Sequence, residues 1–269
     1  MKEFHHSLER RIFSLVRECG QFIKNADRSR LHVDTKGGRA NFVTEYDKKV
    51  QEQLRTGLLE LMPDAHFIGE EGSAQAFSQS GKFFIVDPID GTTNFIKDYR
   101  ASCVSVGLVI DGLAEFGVIY NPYLDEMFSA RRGHGAFCNG NSIHVSSEPL
   151  ENALVIFGTS PYREDLTDRT FSLARDYLRK AVDVRRSGSS ALDLCAVAAG
   201  RAELFFELSL SPWDYAAGAL IVEEAGGLVS DIDGNGLSYG HQCSVVARNK
   251  AVPMPKDVSI PRVSSRQRV

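Results

Sequence analysis

The stretch KFFIVD at residues 82–87 constrains the fold more than any other part of the chain. Its four consecutive apolar residues predict a strand that is buried on both faces, and such a strand belongs inside a sheet that is covered on both sides. The sequence PIDGTTNF follows without a break. Because proline lacks an amide hydrogen, we expect Pro88 to end the hydrogen-bond ladder of this strand and a short helix to begin at Thr92.

Helical and extended patterns alternate along the rest of the chain. Apolar residues at intervals of three and four predict a first helix that ends before Asn25 and a second that starts at Asp47 and stops near Pro63. An Asp111-Gly112 pair between two alternating stretches predicts a β-hairpin. In the second half, strand and helix patterns follow each other in turn. We therefore predict an α/β (α+β) protein with an antiparallel sheet in the N-terminal half and a mixed sheet in the C-terminal half.

Size, charge and cysteine content exclude several classes of protein. The chain has 269 residues and a formal net charge of −4, so no overall positive field attracts nucleic acid or acidic lipid. No apolar run reaches the roughly 18–20 residues of a membrane-spanning helix, and the charged N-terminal segment is unlike a secretory signal. The five cysteines are odd in number and widely spaced, which favours free thiols. We therefore expect a cytoplasmic protein with neither a membrane nor a nucleic acid as partner.

Asp87 and Asp90 flank the predicted end of the buried strand. The turn between them can aim both carboxylates at one point, while the free amides of Gly91, Thr92 and Thr93 at the helix start face the same space. Carboxylates bind hard cations and such amides bind phosphate, so the segment indicates metal-assisted phosphoryl transfer. The structural alternative is that Asp90 caps a helix within an ordinary turn.

A covalent mechanism through an aspartate is disfavoured. Haloacid-dehalogenase-type phosphatases use Asp-x-Asp-Gly-Thr, in which the two acids are two residues apart. A spacing of two places both side chains on one face of a strand. Here the acids are three residues apart with a proline between them, so this arrangement is not available.

Three further acids lie where they could join the same cluster. Glu70 follows the short strand HFIG, Asp214 lies in the first turn of a helix beside Trp213, and Asp47 lies at the start of the second helix. Each has a structural alternative: a solvated loop glutamate for the first, and helix-capping aspartates for the other two.

Taken together, these segments resemble the inositol monophosphatase family of magnesium-dependent phosphatases, in its bacterial branch. The main matching stretches, in chain order, are GEEG (69–72), DPIDGTTNF (87–95) and PWDYAAG (212–218). The supporting matches are VTEYD (43–47), RRSGSSALDLCAVAAGRAELFFE (185–207) and EEAGG (223–227). The combination spans about residues 1–250 and is specific, whereas any single piece is not.

The resemblance implies an architecture. The family fold is a layered α-β-α-β-α sandwich, usually in a homodimer, and lithium commonly inhibits the enzyme. It implies a single domain over residues 1–250, with an N-terminal subdomain at about 1–149 and a C-terminal one at about 150–250. Residues 251–269 then form a proline-rich tail.

The resemblance also implies two to three Mg²⁺ ions in each site. The ligands of the first ion would be Glu70, Asp87 and the backbone carbonyl of Ile89. The ligands of the second would be Asp87, Asp90 and Asp214. A third, weaker ion would use Glu70 and water.

Other residues would serve catalysis and substrate binding. The catalytic residues would be Asp47, Glu70 and Thr92, of which Asp47 and Thr92 orient the attacking water. The amides of Gly91 and Thr92 would bind phosphate. Contacts to the substrate hydroxyls would come from Asp90, Ser189, Ser190, Glu207 and Asp214. Lys36, on a glycine-rich tip, would belong to a mobile lid.

The substrate that the resemblance favours is myo-inositol 1-phosphate. Related folds hydrolyse fructose 1,6-bisphosphate, histidinol phosphate, NADP at its 2′-phosphate and 3′-phosphoadenosine 5′-phosphate. Arg185 and Arg186 could bind a second phosphate, although solvated charges at a strand end are the commoner role of such residues. A different class remains open as well: a non-catalytic partner of RNA or of the transcription apparatus. The complete set of acids argues against it, because a binding module gains nothing from their mutual repulsion.

Overall fold

The computed structural model describes residues 2–35, 42–72 and 76–255. The helices of these residues are α1 (Lys2–Lys24), α2 (Glu45–Leu61), α3 (Thr92–Ile96), α4 (Thr167–Leu178), α5 (Ser190–Ala198) and α6 (Pro212–Glu224). The first strands are β1 (Val33–Thr35), β2 (Phe42–Thr44), β3 (His66–Gly69), β4 (Lys82–Asp90), β5 (Cys103–Ile110), β6 (Leu113–Asn121) and β7 (Glu126–Arg131). The remaining strands are β8 (Ala136–Cys138), β9 (Asn141–Ile143), β10 (Leu154–Phe157), β11 (Asp183–Arg185), β12 (Leu204–Leu210), β13 (Leu228–Ser230) and β14 (Cys243–Arg248).

Two large sheets hold these elements in layers. The first sheet has seven strands in the order β3-β4-β5-β6-β7-β8-β9, and the second has five in the order β11-β10-β12-β14-β13. Helices α1 and α2 cover the outer face of the first sheet, α5 and α6 lie between the sheets, and α4 covers the outer face of the second. The predicted α-β-α-β-α sandwich is confirmed.

Strand β4 shows how the sequence produces the layers. Phe84 and Val86 pack into the core formed with α1 and α2, while Phe83 and Ile85 pack into the core formed with α5 and α6. All four side chains are buried, which confirms the prediction of a strand covered on both faces. Its alternate residues therefore join two separate cores, as the pleat of a strand requires.

Strand directions agree with the predicted sheets. In the first sheet β3 and β4 are parallel, and the other neighbours are antiparallel. In the second sheet β10 is parallel to β11 and β12, whereas β14 is antiparallel to β12 and β13. The hairpin predicted at Asp111-Gly112 joins β5 to β6, and β1 pairs antiparallel with β2.

Pro88 interrupts strand pairing but does not end the strand, so that prediction is wrong. Strand β4 continues to Asp90, and the pairing register shifts between Asp87 and Asp90. Asp87 lies opposite Ser105 and Asp90 lies opposite Cys103, so β4 has one residue more than its partner over this interval. The bulge lets β4 continue although Pro88 has no amide hydrogen to donate to the partner strand. It also changes the direction of the side chain that follows.

Some predictions fall on parts of the chain that are not described. Lys36, and the predicted tail from residue 256 onward, lie outside the described residues. Among the helices that are described, none has the length and apolar character needed to cross a membrane.

Candidate active site

Three aspartates converge where the first sheet meets the layer of helices between the sheets. Asp87 and Asp90 lie at the end of β4, and Asp214 lies in the first turn of α6. Carboxylate oxygens of the three lie within 4.8 Å of one another. Asp87 is 2% exposed and Asp90 6%, so these charges are largely withdrawn from water.

The N-terminus of α5 holds Asp90 in place. The backbone amide of Ala191 donates to Asp90 Oδ2 at 2.9 Å, and the hydroxyl of Ser189 donates to the same oxygen. The hydroxyl of Ser190 lies 3.3 Å from Asp90 Oδ1. Ser189 is also the N-cap of α5, with its hydroxyl accepting from the amide of Leu192. The bulged end of β4 is therefore fixed to a helix about 100 residues later in the chain.

Asp47 and Asp214 occupy the same position in two helices, the third residue after the N-cap. Oδ2 of Asp47 accepts from the amide of Thr44 at 2.7 Å, and Oδ2 of Asp214 accepts from the amide of Ser211 at 2.7 Å. These bonds are one half of a capping box. Asp47 Oδ1 lies 3.5 Å from the hydroxyl of Thr92. The capping role and a role in the site are therefore compatible in one side chain.

The turn after Asp90 needs glycine. Gly91 has φ of +85° and is the N-cap of α3. A Cβ at this position would lie 2.9 Å from the carbonyl oxygen of Ala101, so no other residue fits without a shift of backbone. The next residue, Thr92, donates its hydroxyl to the carbonyl of Ile89 at 3.1 Å. Gly91, Thr92 and Ile89 all line the cavity, as expected.

Glu70 and Glu207 complete the acidic wall of the cavity. Glu70 follows β3 and lines the cavity, although it lies outside the tight set of three aspartates. Glu207, in β12, accepts from the amide of Ser160 at 2.7 Å. A Cβ on Gly158 would lie 1.8 Å from Glu207 Oε2, so this glycine makes room for the carboxylate.

Burial and mutual repulsion shift the pKa values of these acids upward. Burial, followed by the charges of Glu70, Asp90 and Asp214, raises the pKa of Asp87 well above its ordinary range. Burial, followed by the charges of Asp90 and Glu70, does the same to the pKa of Asp214. Burial raises the pKa of Asp90 to about 6 and that of Glu207 to about 7. Ionising these acids together in the folded protein therefore carries a cost that a bound cation would relieve.

The donor set fits magnesium. The described residues that line the cavity offer carboxylate and backbone carbonyl oxygens, and they include neither histidine nor cysteine. Hard oxygen ligands of this kind suit Mg²⁺ and not Zn²⁺. The convergence of aspartates from β4 and α6 is the feature that makes such a site possible.

Several cavity residues were not among the predicted site residues. Tyr162, Asp193 and Gly158 line the cavity beside the predicted residues, and so does Arg186. Asp193 belongs to the ALDL stretch and is buried, and burial raises its pKa well above the ordinary range. Arg186 follows Arg185 in the sequence, and nothing in the local pattern separates the two.

The layered fold and its cavity of buried carboxylates define a metal-dependent phosphatase. Comparison with known proteins agrees. The sequence profile of the inositol monophosphatase family matches residues 6–262, and the chain belongs to that family. Like the curated relatives, it is an enzyme that hydrolyses phosphoric monoesters.

Individual relatives cover most of the chain. Inositol monophosphatase 2 of Solanum lycopersicum is 44% identical over 230 residues, which is 82% of this chain and 85% of that protein. The crystal structure of the extragenic suppressor protein suhB of Bartonella henselae has a TM-score of 0.85 and 33% identity, covering 91% of this chain and 95% of that one. An IMPase/NADP phosphatase complexed with Mg²⁺ and phosphate has a TM-score of 0.82 and 25% identity, covering 92% of each chain.

Proposed function

We propose that this phosphatase hydrolyses phosphate monoesters of small sugars or polyols, with myo-inositol 1-phosphate foremost, in a Mg²⁺-dependent reaction. Water attacks phosphorus directly, without a phospho-enzyme. The observation that carries the proposal is the convergence of Asp87, Asp90 and Asp214 beside the free amides that begin α3. A cluster of carboxylates next to helix-start amides is suited to a cation and a phosphate together.

The proposed metal ligands divide into two sets. Glu70, Asp87 and the carbonyl of Ile89 would hold one ion, and Asp87, Asp90 and Asp214 would hold the other, with a third, weaker ion at Glu70. When bound, Mg²⁺ supplies a more acidic water and neutralises charge on the leaving oxygen. The Mg²⁺ and phosphate complex of the IMPase/NADP phosphatase supports this choice of metal.

The chain's own residues orient the nucleophile and the phosphate. The Thr92 hydroxyl lies 3.1 Å from the carbonyl of Ile89 and 3.5 Å from Asp47 Oδ1. Once its proton is directed to one of these oxygens, the Thr92 oxygen can accept a hydrogen bond from the attacking water. Asp47 fixes this orientation, and Glu70 lies on the cavity wall where it can take part in proton transfer. The amides of Gly91 and Thr92 hold the phosphate oxygens.

The remaining cavity residues bind the hydroxyls of the substrate. Asp214 and Glu207 each use one oxygen for a backbone amide and keep a second oxygen available to accept from a substrate hydroxyl. Ser189 and Ser190 donate to Asp90, so we propose that they act on the substrate chiefly by positioning that carboxylate. Asp90 itself would both hold a metal ion and contact the hydroxyls.

Asp90→Asn tests the proposal. We expect loss of more than about 100-fold in kcat, because the metal contributes several kcal/mol to the transition state. The fold should persist, since the asparagine carbonyl can still accept from Ala191. The measurement is phosphate release with Mg²⁺ and with EDTA, beside the midpoint of thermal unfolding. Asp165→Asn is the matched control, because this exposed acid pairs with Arg163 outside the cavity. Near-normal hydrolysis by Asp90→Asn, or activity in EDTA, contradicts the proposal.

A substrate panel separates the alternatives on the same fold. It contains inositol 1-phosphate, fructose 1,6-bisphosphate, histidinol phosphate, NADP and 3′-phosphoadenosine 5′-phosphate. Hydrolysis of none of them, together with Mg²⁺-independent retention of RNA or of transcription proteins, would favour the non-catalytic alternative.

Further properties remain predictions from the family resemblance. They are a homodimer, inhibition by lithium, a single domain over residues 1–250 and a lid that contains Lys36. We also propose a cytoplasmic location, which the thiol chemistry supports: all five cysteines are free, as expected in a reducing compartment.

A further inference from the structure

The cavity of the proposed active site carries a strong imbalance of charge. The described residues that line it include one basic side chain, Arg186. Its acidic side chains number six: Glu70, Asp87, Asp90, Asp193, Glu207 and Asp214. Bound metal would offset the charges of the aspartates at the end of β4 and at the start of α6, but it would not offset charge elsewhere in the cavity. The position of Arg186 therefore matters for any substrate that carries more than one anionic group.

Arg186 and its neighbour Arg185 differ in their contacts. The Arg185 guanidinium pairs with Asp183 and donates to the carbonyl of Val184 at 2.8 Å, so its charge is used within β11. Among the described residues, no hydrogen-bond acceptor or ion-pair partner engages the guanidinium of Arg186. Its side chain is exposed at the cavity, so its donors are available to a ligand.

The backbone below Arg186 sets where the guanidinium lies. Gly188 has φ of +93°, and a Cβ there would lie 2.5 Å from Arg186 Nη1. The Gly188 carbonyl oxygen in turn lies 3.2 Å from where a Cβ on Gly91 would be. The guanidinium therefore lies over the glycine that adjoins the phosphate-binding turn. It also acts electrostatically on Asp193 and Glu207, where it opposes the rise of their pKa values.

Neither nearby carboxylate takes Arg186 as a direct partner. Glu207 Oε1 is held by the amide and the hydroxyl of Ser160, at 2.7 and 3.1 Å. Asp193 is 3% exposed, and burial raises the pKa of its carboxyl group well above the ordinary range. Arg186 thus lies between the phosphate-binding turn and the hydroxyl-binding side of the cavity, and its hydrogen-bond donors remain available to a ligand.

We propose that Arg186 is a specificity-determining residue that binds a second phosphate on the substrate. This inference rests on the proposed function and extends it: the reacting phosphate binds at Gly91 and Thr92, and the second anionic group binds the guanidinium. Arginine suits this task because its planar donors match two phosphate oxygens at once. Sugar bisphosphates are therefore expected to be bound more tightly than the corresponding monophosphates.

Fructose 1,6-bisphosphate and fructose 1-phosphate are a matched pair of probes that differ by one phosphate. The measurement is kcat and KM for each compound, or its Ki against inositol 1-phosphate hydrolysis where it is not turned over. We expect Arg186→Gln to weaken the bisphosphate about tenfold, chiefly through KM or Ki, and to change the monophosphate less than about twofold. Arg186→Lys keeps the charge, and its KM or Ki for the bisphosphate should lie between those of the wild type and Arg186→Gln. Arg185→Gln is the neighbouring control and should behave as the wild type.

The outcomes separate this inference from the proposed function. Equal losses for both compounds in Arg186→Gln would show that the guanidinium only offsets the carboxylates, and would overturn the inference. An unchanged bisphosphate constant would overturn it as well. In both cases hydrolysis by the wild type leaves the proposed function standing. A wild-type protein that hydrolyses no phosphomonoester overturns both. Among the described residues Arg186 makes neither a hydrogen bond nor an ion pair, so we expect Arg186→Gln to fold as the wild type does, which the midpoint of thermal unfolding checks.

Discussion

At the scale of single residues, the site is built from side chains that serve the backbone and the cavity at once. Asp47 and Asp214 each use Oδ2 to accept from an N-cap amide. Such bonds fix the carboxylate relative to its own helix, so its other oxygen, Oδ1, points in a set direction. Both acids therefore take part in helix capping, although at the third position after the N-cap and not at the N-cap itself, and the same bond positions each acid at the cavity.

Thr44→Ala tests this coupling. The change removes the hydroxyl that accepts from the amide of Tyr46 at 3.1 Å and donates to Asp47 Oδ2 at 2.5 Å. We expect a loss of about 1–2 kcal/mol in the free energy of unfolding, as for other N-caps, and a several-fold loss of kcat because Asp47 is no longer fixed. Urea denaturation and phosphate release measure the two effects.

Two variants make the Thr44 result interpretable. Thr44→Ser keeps the hydroxyl and should retain most of the stability and activity. Thr56→Ala changes an exposed threonine inside the same helix and should leave kcat unchanged. A stability loss in Thr44→Ala with fully normal kcat would contradict the role proposed for Asp47.

At the scale of elements, helix α6 rests on a pair of glycines. Gly107 in β5 and Gly117 in β6 are cross-strand partners. A Cβ on Gly117 would lie 2.7 Å from the carbonyl oxygen of Ala217, and a Cβ on Gly107 would lie 3.0 Å from the Cβ of Ala216. The absence of side chains lets the helix backbone approach the sheet closely. Since α6 carries Asp214, this distance also sets how near Asp214 comes to the end of β4.

Gly117→Ala is therefore expected to affect both stability and catalysis. The added methyl group meets helix backbone, which cannot turn aside as a side chain would, and overpacking of this kind costs about 1–3 kcal/mol. The displaced helix should weaken Mg²⁺ binding, seen as a higher Mg²⁺ concentration for half-maximal activity. Gly236→Ala is the control, because a Cβ at that position meets nothing within 4 Å. An unchanged Mg²⁺ requirement in a destabilised Gly117→Ala would contradict the link to Asp214.

Patterns within one element were predictable, whereas effects between elements were not. The spacing of apolar residues correctly ends α1 before Asn25, and Asp111-Gly112 correctly marks the turn between β5 and β6. The alternation predicted for β5 and β6 is replaced by burial on both faces, because α1 and α6 cover the two sides of the sheet. Pro88 was expected to end β4, but β5 resumes pairing after the bulge. That outcome depends on the partner strand and not on the local sequence.

At the scale of the whole molecule, the cavity joins both sheets and the helices between them. The family resemblance identified Asp87, Asp90 and Asp214, because these acids lie in recognisable motifs. It could not separate Arg186 from Arg185, since adjacent residues at a strand end differ only in what the tertiary structure brings against them. The close fit of Gly158 to Glu207 is likewise a contact between two strands, β10 and β12, that no local pattern records.

The concentration of buried acids gives the protein an unusual dependence of stability on pH. Burial raises the pKa of Glu207 from 4.5 to about 7 in the folded protein. A carboxyl group whose pKa is higher in the folded state contributes stability below its unfolded pKa, and that stability is lost as the pH rises through the folded value. Asp90, with a pKa of about 6, acts in the same direction. The metal-free protein should therefore become less stable between about pH 4.5 and pH 7.

Glu207→Gln isolates one contribution to this trend. In EDTA, we expect the free energy of unfolding of the wild type to fall from pH 5 to pH 7, and the fall to be smaller in the variant by at most about 3 kcal/mol. Glutamine can still accept from Ser160, so the fold keeps that bond while losing the charge. The exposed Glu151→Gln should keep the wild-type slope. Equal slopes in the wild type and Glu207→Gln would mean that Glu207 ionises freely in the folded protein. Added Mg²⁺ should raise the stability of the wild type more at pH 7 than at pH 5, because a larger fraction of the carboxyl groups is then ionised and their mutual repulsion is greater.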